Sequence, residues 1–379
     1  MKVAVLGGGR VGSAMALDLA GEQDLQITVA DRDPNIGQKF SNVENIRFIK
    51  EDLSNPATVK RVAEDHDWVI NAVPGFMGYR TLKSIIEAGR SVVDIAFFPE
   101  NPLELDELAR KKGVTAIVDC GVAPGMSNLL SAYAARQLEK AESVLIYVGG
   151  LPVVREWPYE YRAVFSPLDV IEEYTRPARY VENGVLVTRP ALSDPELLFF
   201  PQIGTLEAFN TDGLRTLADT LRIPNMKEKT LRYPGHIEKM AVLRETGFFD
   251  EKPVEINGVA VRPIDMTAKL LFPKWEMRPE DEDFTVMKIM VEGQKDGKAR
   301  RIVYDLLDRF DRETRTTSMA RTTGYTATVV LRMLMAGKFK DHGVFPPELL
   351  ADREDCVQYI LEGLARRNIH YRKTEEEIV

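Results

Sequence analysis

Over roughly the first 120 residues, short apolar runs alternate with stretches whose apolar positions recur at helical spacing. The run 2–6 (KVAVL) is β-branched and uninterrupted, the pattern of a parallel strand buried on both faces. Runs 25–30, 46–50, 68–73, 91–96 and 115–120 repeat it, and SAMALDLAGE, SNPATVKRVAED, 79–88 and 103–112 between them read as helices. This alternation predicts βαβ units and an α/β fold, a Rossmann doubly wound parallel sheet over residues 1–125. After Gly125, MSNLLSAYAARQLEK reads as a helix, and 142–304 is richer in strand-like runs and turns. Asn183-Gly184, Asn257-Gly258 and Asp296-Gly297 are hairpin signals. Residues 126–318 are therefore predicted as a second α+β domain with a largely antiparallel sheet. Residues 319–379 are predicted as a helical segment packing back on the Rossmann domain, with the last seven, KTEEEIV, frayed. The acidic run 278–284 reads as a solvated loop. The stripe Leu331, Met333, Leu334, Met335 reads as helix packing or a subunit interface, and a homodimer is expected.

The balance of 50 Lys+Arg against 58 Asp+Glu, a net charge of −8, argues against nucleic acid as a partner. Two cysteines make no disulfide framework, and four histidines without paired spacing leave no metal site expected. This usage suits a reducing cytoplasm. The opening apolar run ends in glycines after five residues and no 18-residue apolar run follows, so neither a signal peptide nor a membrane span is expected.

Gly7-Gly8-Gly9-Arg10-Val11-Gly12 is a G-x-G-x-x-G between a strand and a helix. Gly7 permits the tight turn, Gly9 lets backbone approach a pyrophosphate, and Gly12 lets helix and strand pack closely. Asp31 ends the second strand, where an acid accepts hydrogen bonds from the adenosine ribose and repels a 2′-phosphate. The cofactor expected is NAD. Arg32 tempers that reading, since an arginine there stacks on adenine or pairs with a 2′-phosphate. Asp52, Leu53, Ala72, Val73 and Pro74, at the ends of the third and fourth strands, are expected to line the adenine and second ribose.

NAVPGF (71–76), FFPENPLEL (97–105), DCGVAPGMSNLL (119–130), IYVGGLP (146–152), EEYTRPAR (172–179), EAFNTDGLRTL (207–217), TLRYPGHIEKM (230–240) and ARTTGYT (320–326) together resemble the saccharopine dehydrogenase superfamily, most closely its L-lysine 6-dehydrogenases. Reductases of that superfamily that condense a lysine-derived substrate with glutamate carry an aspartate where this chain has Ala123 in GVAPG, and a cysteine where it has Val148 in YVGGLP. The resemblance implies oxidative deamination of the ε-amino group of L-lysine. A hydride leaves the ε-carbon for NAD, water hydrolyses the imine, and 2-aminoadipate 6-semialdehyde, ammonia and a cyclic piperideine carboxylate result. Two alternatives stand beside it: another oxidoreductase of the superfamily, forming saccharopine or a carboxylated polyamine, and a non-catalytic protein that binds NAD.

A small amino-acid substrate needs a base, a cation for its carboxylate and an acid for its α-ammonium. His236 in RYPGH is either the base or a hydrogen-bonded structural histidine. Arg215 and Thr216 are carboxylate candidates, with Arg321 as a second cation. Asp212 and Glu207 are ammonium candidates. Asp94 and Asp119, near the carboxyl ends of the fifth and sixth strands, either face the reacting groups or cap the next loop. Gly121, Ala123 and Pro124 are expected to pass close to the nicotinamide. Cys120 reads as a small buried hydrophobe, not a nucleophile.

Overall fold

The computed structural model describes residues 1–164, 167–278 and 280–378. The chain divides into two units, Met1–Gln137 with Met319–Tyr371, and Leu138–Ser318 with Arg372–Val379.

The first unit is built on a seven-stranded parallel sheet. Its strands are β1 (Lys2–Leu6), β2 (Gln26–Asp31), β3 (Ile46–Lys50), β4 (Trp68–Asn71), β5 (Ser91–Asp94) and β6 (Thr115–Ile117), in the order β6-β5-β4-β1-β2-β3, with Gly343–Phe345 as a further strand beyond β6. The sheet is thus the expected doubly wound one. Val3, Ala4, Val5 and Leu6 are all fully buried, as a strand covered on both faces requires. Helices start where the local signals place them: Asn55 accepts the Ala57 N–H at 3.0 Å ahead of the helix Pro56–Glu64. Strand order reverses between β1 and β4, where ligands of such sheets bind, at the carboxyl ends of the strands.

This unit ends after Gln137 and not at residue 125, because the helix Met126–Ala135 is tied to it. Tyr133 Oη donates to Glu354 at 2.6 Å, and Arg136 Nε to Asp352 at 2.7 Å. The helix Ser318–Met335 buries Leu331 and Met333 completely. Asp18, on the first helix Arg10–Ala20, gathers Thr328 at 2.5 Å, Arg332 at 2.7 Å and Arg367 at 2.6 Å.

The second unit carries β7 (Lys140–Pro152), β8 (Ala178–Glu182), β9 (Val185–Arg189), β10 (Glu196–Phe200), β11 (Gly204–Asn210), β12 (Asn225–Arg232), β13 (Val254–Ile256), β14 (Val259–Val261), β15 (Asp283–Lys295) and β16 (Lys298–Arg309). Its main sheet runs β10-β11-β12-β7-β15-β16 and ends on Arg372–Glu377; β8 pairs β12, and β9 pairs β8. Among the described residues only β7 and β12 pair in parallel in this sheet, so it is largely antiparallel. All three predicted turns close hairpins. Their φ values, +50 and +77 at 183–184, +51 and +81 at 257–258, and +53 and +70 at 296–297, are positive at both central residues, as a type I′ turn demands.

Three expectations fail. Residues 319–379 are not wholly helical, since they contribute one strand to each main sheet. Within the stretch expected to fray, where Val379 lies outside the described residues, residues 373–377 belong to an edge strand: Glu375, Glu376 and Glu377 meet Lys295 at 3.0 Å, Arg301 at 3.0 Å and Lys298 at 2.9 Å. Read alone it is a solvated tail; the opposite charges that hold it lie about 75 to 80 residues upstream. The acidic run is not all solvated, since Asp283 and Phe284 are buried at the start of β15. Pro279 in that run lies outside the described residues.

Candidate active site

The glycine turn shows why it needs glycines. At Gly7, φ is +100° and a Cβ would lie 2.5 Å from the Ala72 carbonyl oxygen; at Gly12 it would lie 2.0 Å from the Gly7 oxygen. At Gly9 it would meet nothing within 4 Å. Two glycines are thus demanded by packing and the middle one faces open space. Gly9 precedes the helix Arg10–Ala20 with no side-chain cap, so the first N–H groups and the helix dipole suit a pyrophosphate. Val11 packs under Gly324 of the returning helix. Asp31 is clamped: Oδ2 accepts the Gly8 N–H at 2.8 Å and Oδ1 the Asp33 N–H at 2.9 Å. Arg32 is exposed and within electrostatic reach of Asp52, whose carboxyl is lowered mainly by hydrogen bonds from Ser54. Leu53 and Val73 are buried, Ala72 backs Gly7, and Pro74 opens the helix Gly75–Glu87. These residues fit a dinucleotide.

The turn 121–125 is closed by Gly121 N–H to Pro124 O at 3.1 Å and Met126 N–H to Gly121 O at 3.0 Å. Ala123 and Pro124 are its partly exposed members. Gly125, at φ +139°, is irreplaceable there, since a Cβ would lie 1.9 Å from the Gly121 oxygen. Asp119 precedes the turn, buried and at φ +49°. Asp94 caps its loop: Oδ1 accepts the Ala96 N–H at 2.7 Å and Oδ2 the Asn71 amide at 2.7 Å. That geometry favours the capping role over a base. Cys120 is buried, and burial with the charges of Asp94 and Asp119 pushes its thiol far up, against any nucleophilic role. Arg321 belongs to this unit, buried, donating to the Arg367 carbonyl at 2.9 Å.

In the second unit, His236 is 1% exposed and both ring nitrogens are engaged. Nδ1 donates to the Tyr159 carbonyl at 2.8 Å, and Nε2 accepts from Tyr174 Oη at 2.9 Å, the tautomer being set by the carbonyl. Tyr174 Oη accepts from Arg232 Nε at 3.2 Å, and Arg232 pairs with Glu173. Burial, then the Arg232 charge, lower the His236 pKa to about 3. His236 is thus a neutral histidine with both ring nitrogens already hydrogen-bonded, which favours the structural alternative over the base. Asp212 is also committed, bidentate to Arg179 at 2.9 and 3.0 Å, which weighs against it as an ammonium site. Arg215, buried at φ +53°, and Thr216, also buried, share its loop. Glu207 accepts the Gly235 N–H at 3.0 Å and is partly exposed.

Three polar residues escaped the sequence reading. Asn71 lay unnoticed inside NAVPGF. Lys39 carries no motif. Glu228 alternates with neighbours on β12 like any strand residue, yet it is buried, accepts hydrogen bonds from Thr211 Oγ1 and the Gly213 N–H, and is raised to about 8 by burial and then by the charges of Glu173 and Asp212. Among the described residues no three His, Cys, Asp or Glu side chains converge as a metal would require.

Residues 3–117 match the family model for the saccharopine dehydrogenase NADP binding domain, and residues 121–369 that for the saccharopine dehydrogenase C-terminal domain. Saccharopine dehydrogenase [NADP(+), L-glutamate-forming] of Schizosaccharomyces pombe is 27% identical over 67% of this chain, and the match spans 59% of that protein's length. Carboxynorspermidine synthase of Vibrio cholerae is 22% identical over 92% of both chains. The apo structure of saccharopine dehydrogenase (L-Glu forming) from Saccharomyces cerevisiae superposes with a TM-score of 0.81 at 19% identity, covering all of both chains, a likeness of fold.

Proposed function

Because the chain belongs to the saccharopine dehydrogenase family, an oxidoreductase family, we propose that it is an NAD-dependent L-lysine 6-dehydrogenase, releasing ammonia and 2-aminoadipate 6-semialdehyde. One observation carries this reading: the turn 121–125 holds Ala123, and β7 holds Val148, where the resemblance places an aspartate and a cysteine in glutamate-condensing reductases. A site without that carboxylate and thiol is suited to a simple amine and not to a condensation. Asp31, held by two backbone amides, supports NAD by accepting from a free ribose hydroxyl and repelling a phosphate.

The bound nicotinamide cofactor would supply the hydride acceptor. The chain supplies the rest. The glycine turn and helix N-terminus hold the pyrophosphate. Arg215 and Thr216 hold the α-carboxylate, and Glu207 takes the α-ammonium in place of Asp212. Asp119 is the candidate proton acceptor for the ε-ammonium, ahead of His236 and Asp94, whose polar atoms are already hydrogen-bonded. The enzyme works in the cytoplasm as a homodimer.

A second reading is favoured by the likeness to carboxynorspermidine synthase across 92% of both chains: formation of a carboxylated polyamine from an aldehyde and an amine with NAD(P)H. The experiment is a paired assay. NADH appearing from NAD with L-lysine at alkaline pH supports the dehydrogenase. NADPH consumed only when aldehyde and amine are supplied together, with no lysine oxidation, replaces it by the second reading.

A further inference from the structure

The register of β11 on β12 pairs Asn210 with Lys229, so Glu228 comes opposite Thr211, the first residue past β11. The two backbones are still joined there, Thr211 N–H donating to the Glu228 carbonyl at 3.3 Å. The Glu228 side chain then turns under the loop that follows. Its carboxyl accepts from Thr211 Oγ1 and from the Gly213 N–H, and Thr230 Oγ1 stands 2.9 Å from the same Thr211 hydroxyl. A Cβ at Gly213 would run into the Glu228 carboxyl carbon and oxygen, so a glycine is required because a carboxyl fills the space beneath the loop. Glu228 is 4% exposed, so water competes little for these bonds. On its outer side the loop is gripped by the Asp212–Arg179 pair, in which Arg179 is 44% exposed. Between these holds and the short helix Leu217–Thr220, Arg215 takes a φ of +53°. A residue with a side chain keeps that conformation only where its surroundings over-determine it.

We propose that Glu228 is a positioning residue: by holding Thr211 and Gly213 from beneath, it fixes the left-handed turn at Arg215 and so the aim of that guanidinium at the α-carboxylate of an amino-acid substrate. The inference rests on the dehydrogenase reading above, in which Arg215 and Thr216 hold that carboxylate. Burial keeps Glu228 protonated at neutral pH. It therefore anchors the loop as a neutral acid and adds no negative charge beneath a loop that is to receive an anion.

Two measurements on Glu228→Ala and Glu228→Gln test it. Amide hydrogen exchange over residues 211–216 needs no substrate: Glu228→Ala should speed it at least about tenfold, and Glu228→Gln, which keeps the shape and the acceptor, should leave it near wild type. Kinetics test the consequence. In Glu228→Ala the KM for L-lysine should rise about tenfold, while kcat, the KM for NAD and the KM for cadaverine stay within about twofold, and Glu228→Gln should restore most of the loss. In an Arg215→Ala background, Glu228→Ala should raise the lysine KM no further, because it acts through that guanidinium. Should Glu228→Ala not fold, Thr211→Val removes the same side-chain bond and carries the same expectations. Unchanged exchange, or an equal loss for lysine and cadaverine, overturns the proposal. Faster exchange in a protein whose wild type oxidises no L-lysine overturns the dehydrogenase reading instead, with the hold on the loop upheld.

Discussion

Asn71 donates from Nδ2 to Oδ2 of Asp94 across 2.7 Å, and both side chains are fully buried. The bond joins the ends of β4 and β5, whose last registered pair is Asn71 and Asp94. With the Ala96 N–H on its other oxygen, Asp94 fixes how the chain leaves β5, at the edge where ligands of doubly wound sheets bind. Asp94→Ala strands two buried donors, which costs about 1–3 kcal/mol for each. Thermal denaturation should show a fall of several degrees, and Asp94→Asn a smaller one. An unchanged melting temperature in Asp94→Ala would show that the pair holds nothing.

Asp31→Ala should weaken NAD about tenfold, by losing a charge-assisted hydrogen bond to ribose, and should strengthen NADP relative to NAD by ending the repulsion of its phosphate. Fluorescence titration of both dinucleotides reads the ratio. A ratio equal to wild type would take Asp31 out of discrimination.

His236 has a pKa of about 3 in the folded chain and an ordinary value of 6.5. Between those values the unfolded chain binds more protons than the folded one. Stability is therefore lost as pH falls from 6.5 toward 3, by on the order of 5 kcal/mol for this group. His236→Phe should flatten that acid limb in urea titrations. In turnover, no pH break near 6.5 should trace to His236; one that vanishes in the variant would restore it as the base.

Glu228 carries the opposite sign. Its folded pKa, about 8, exceeds its ordinary 4.5, so the folded chain retains a proton that the unfolded chain releases. Its contribution falls as pH rises from 4.5 through 8. Glu228→Gln, which keeps the shape and never ionises, should therefore gain in melting temperature relative to wild type between pH 5 and pH 9, by several degrees. A constant difference across that range would mean that Glu228 is already ionised at pH 5.

Arg215→Ala tests the substrate reading. If its guanidinium holds the α-carboxylate, the kcat/KM ratio of L-lysine over cadaverine should drop at least about tenfold, because cadaverine has no carboxylate to lose. Should the ratio stay put, the carboxylate is bound elsewhere, with Arg321 the next residue to change.

What the residues determined by themselves is what short-range chemistry decides. Apolar runs such as KVAVL make strands, Asn-Gly and Asp-Gly make type I′ hairpins, and G-x-G-x-x-G makes a turn in which packing allows no side chain at two of the three glycines. These signals need neighbours only a few residues away, so they survive without a tertiary structure. The rest depended on partners distant along the chain. KTEEE looks like a tail until Lys295, Lys298 and Arg301 meet it, and the helix Met126–Ala135 is joined to its unit by bonds from its last turn to Asp352 and Glu354. Histidine beside a glycine in RYPGH carries the same letters whether it is a base or a core residue. Tyr174 and the Tyr159 carbonyl weigh toward the second, by using both nitrogens of a buried ring. Asp212 and Arg179 are 33 residues apart, and their bidentate pair neutralises what looked like a free carboxylate. A side chain's charge and free lone pairs are set by what surrounds it, and only the folded chain brings those surroundings together.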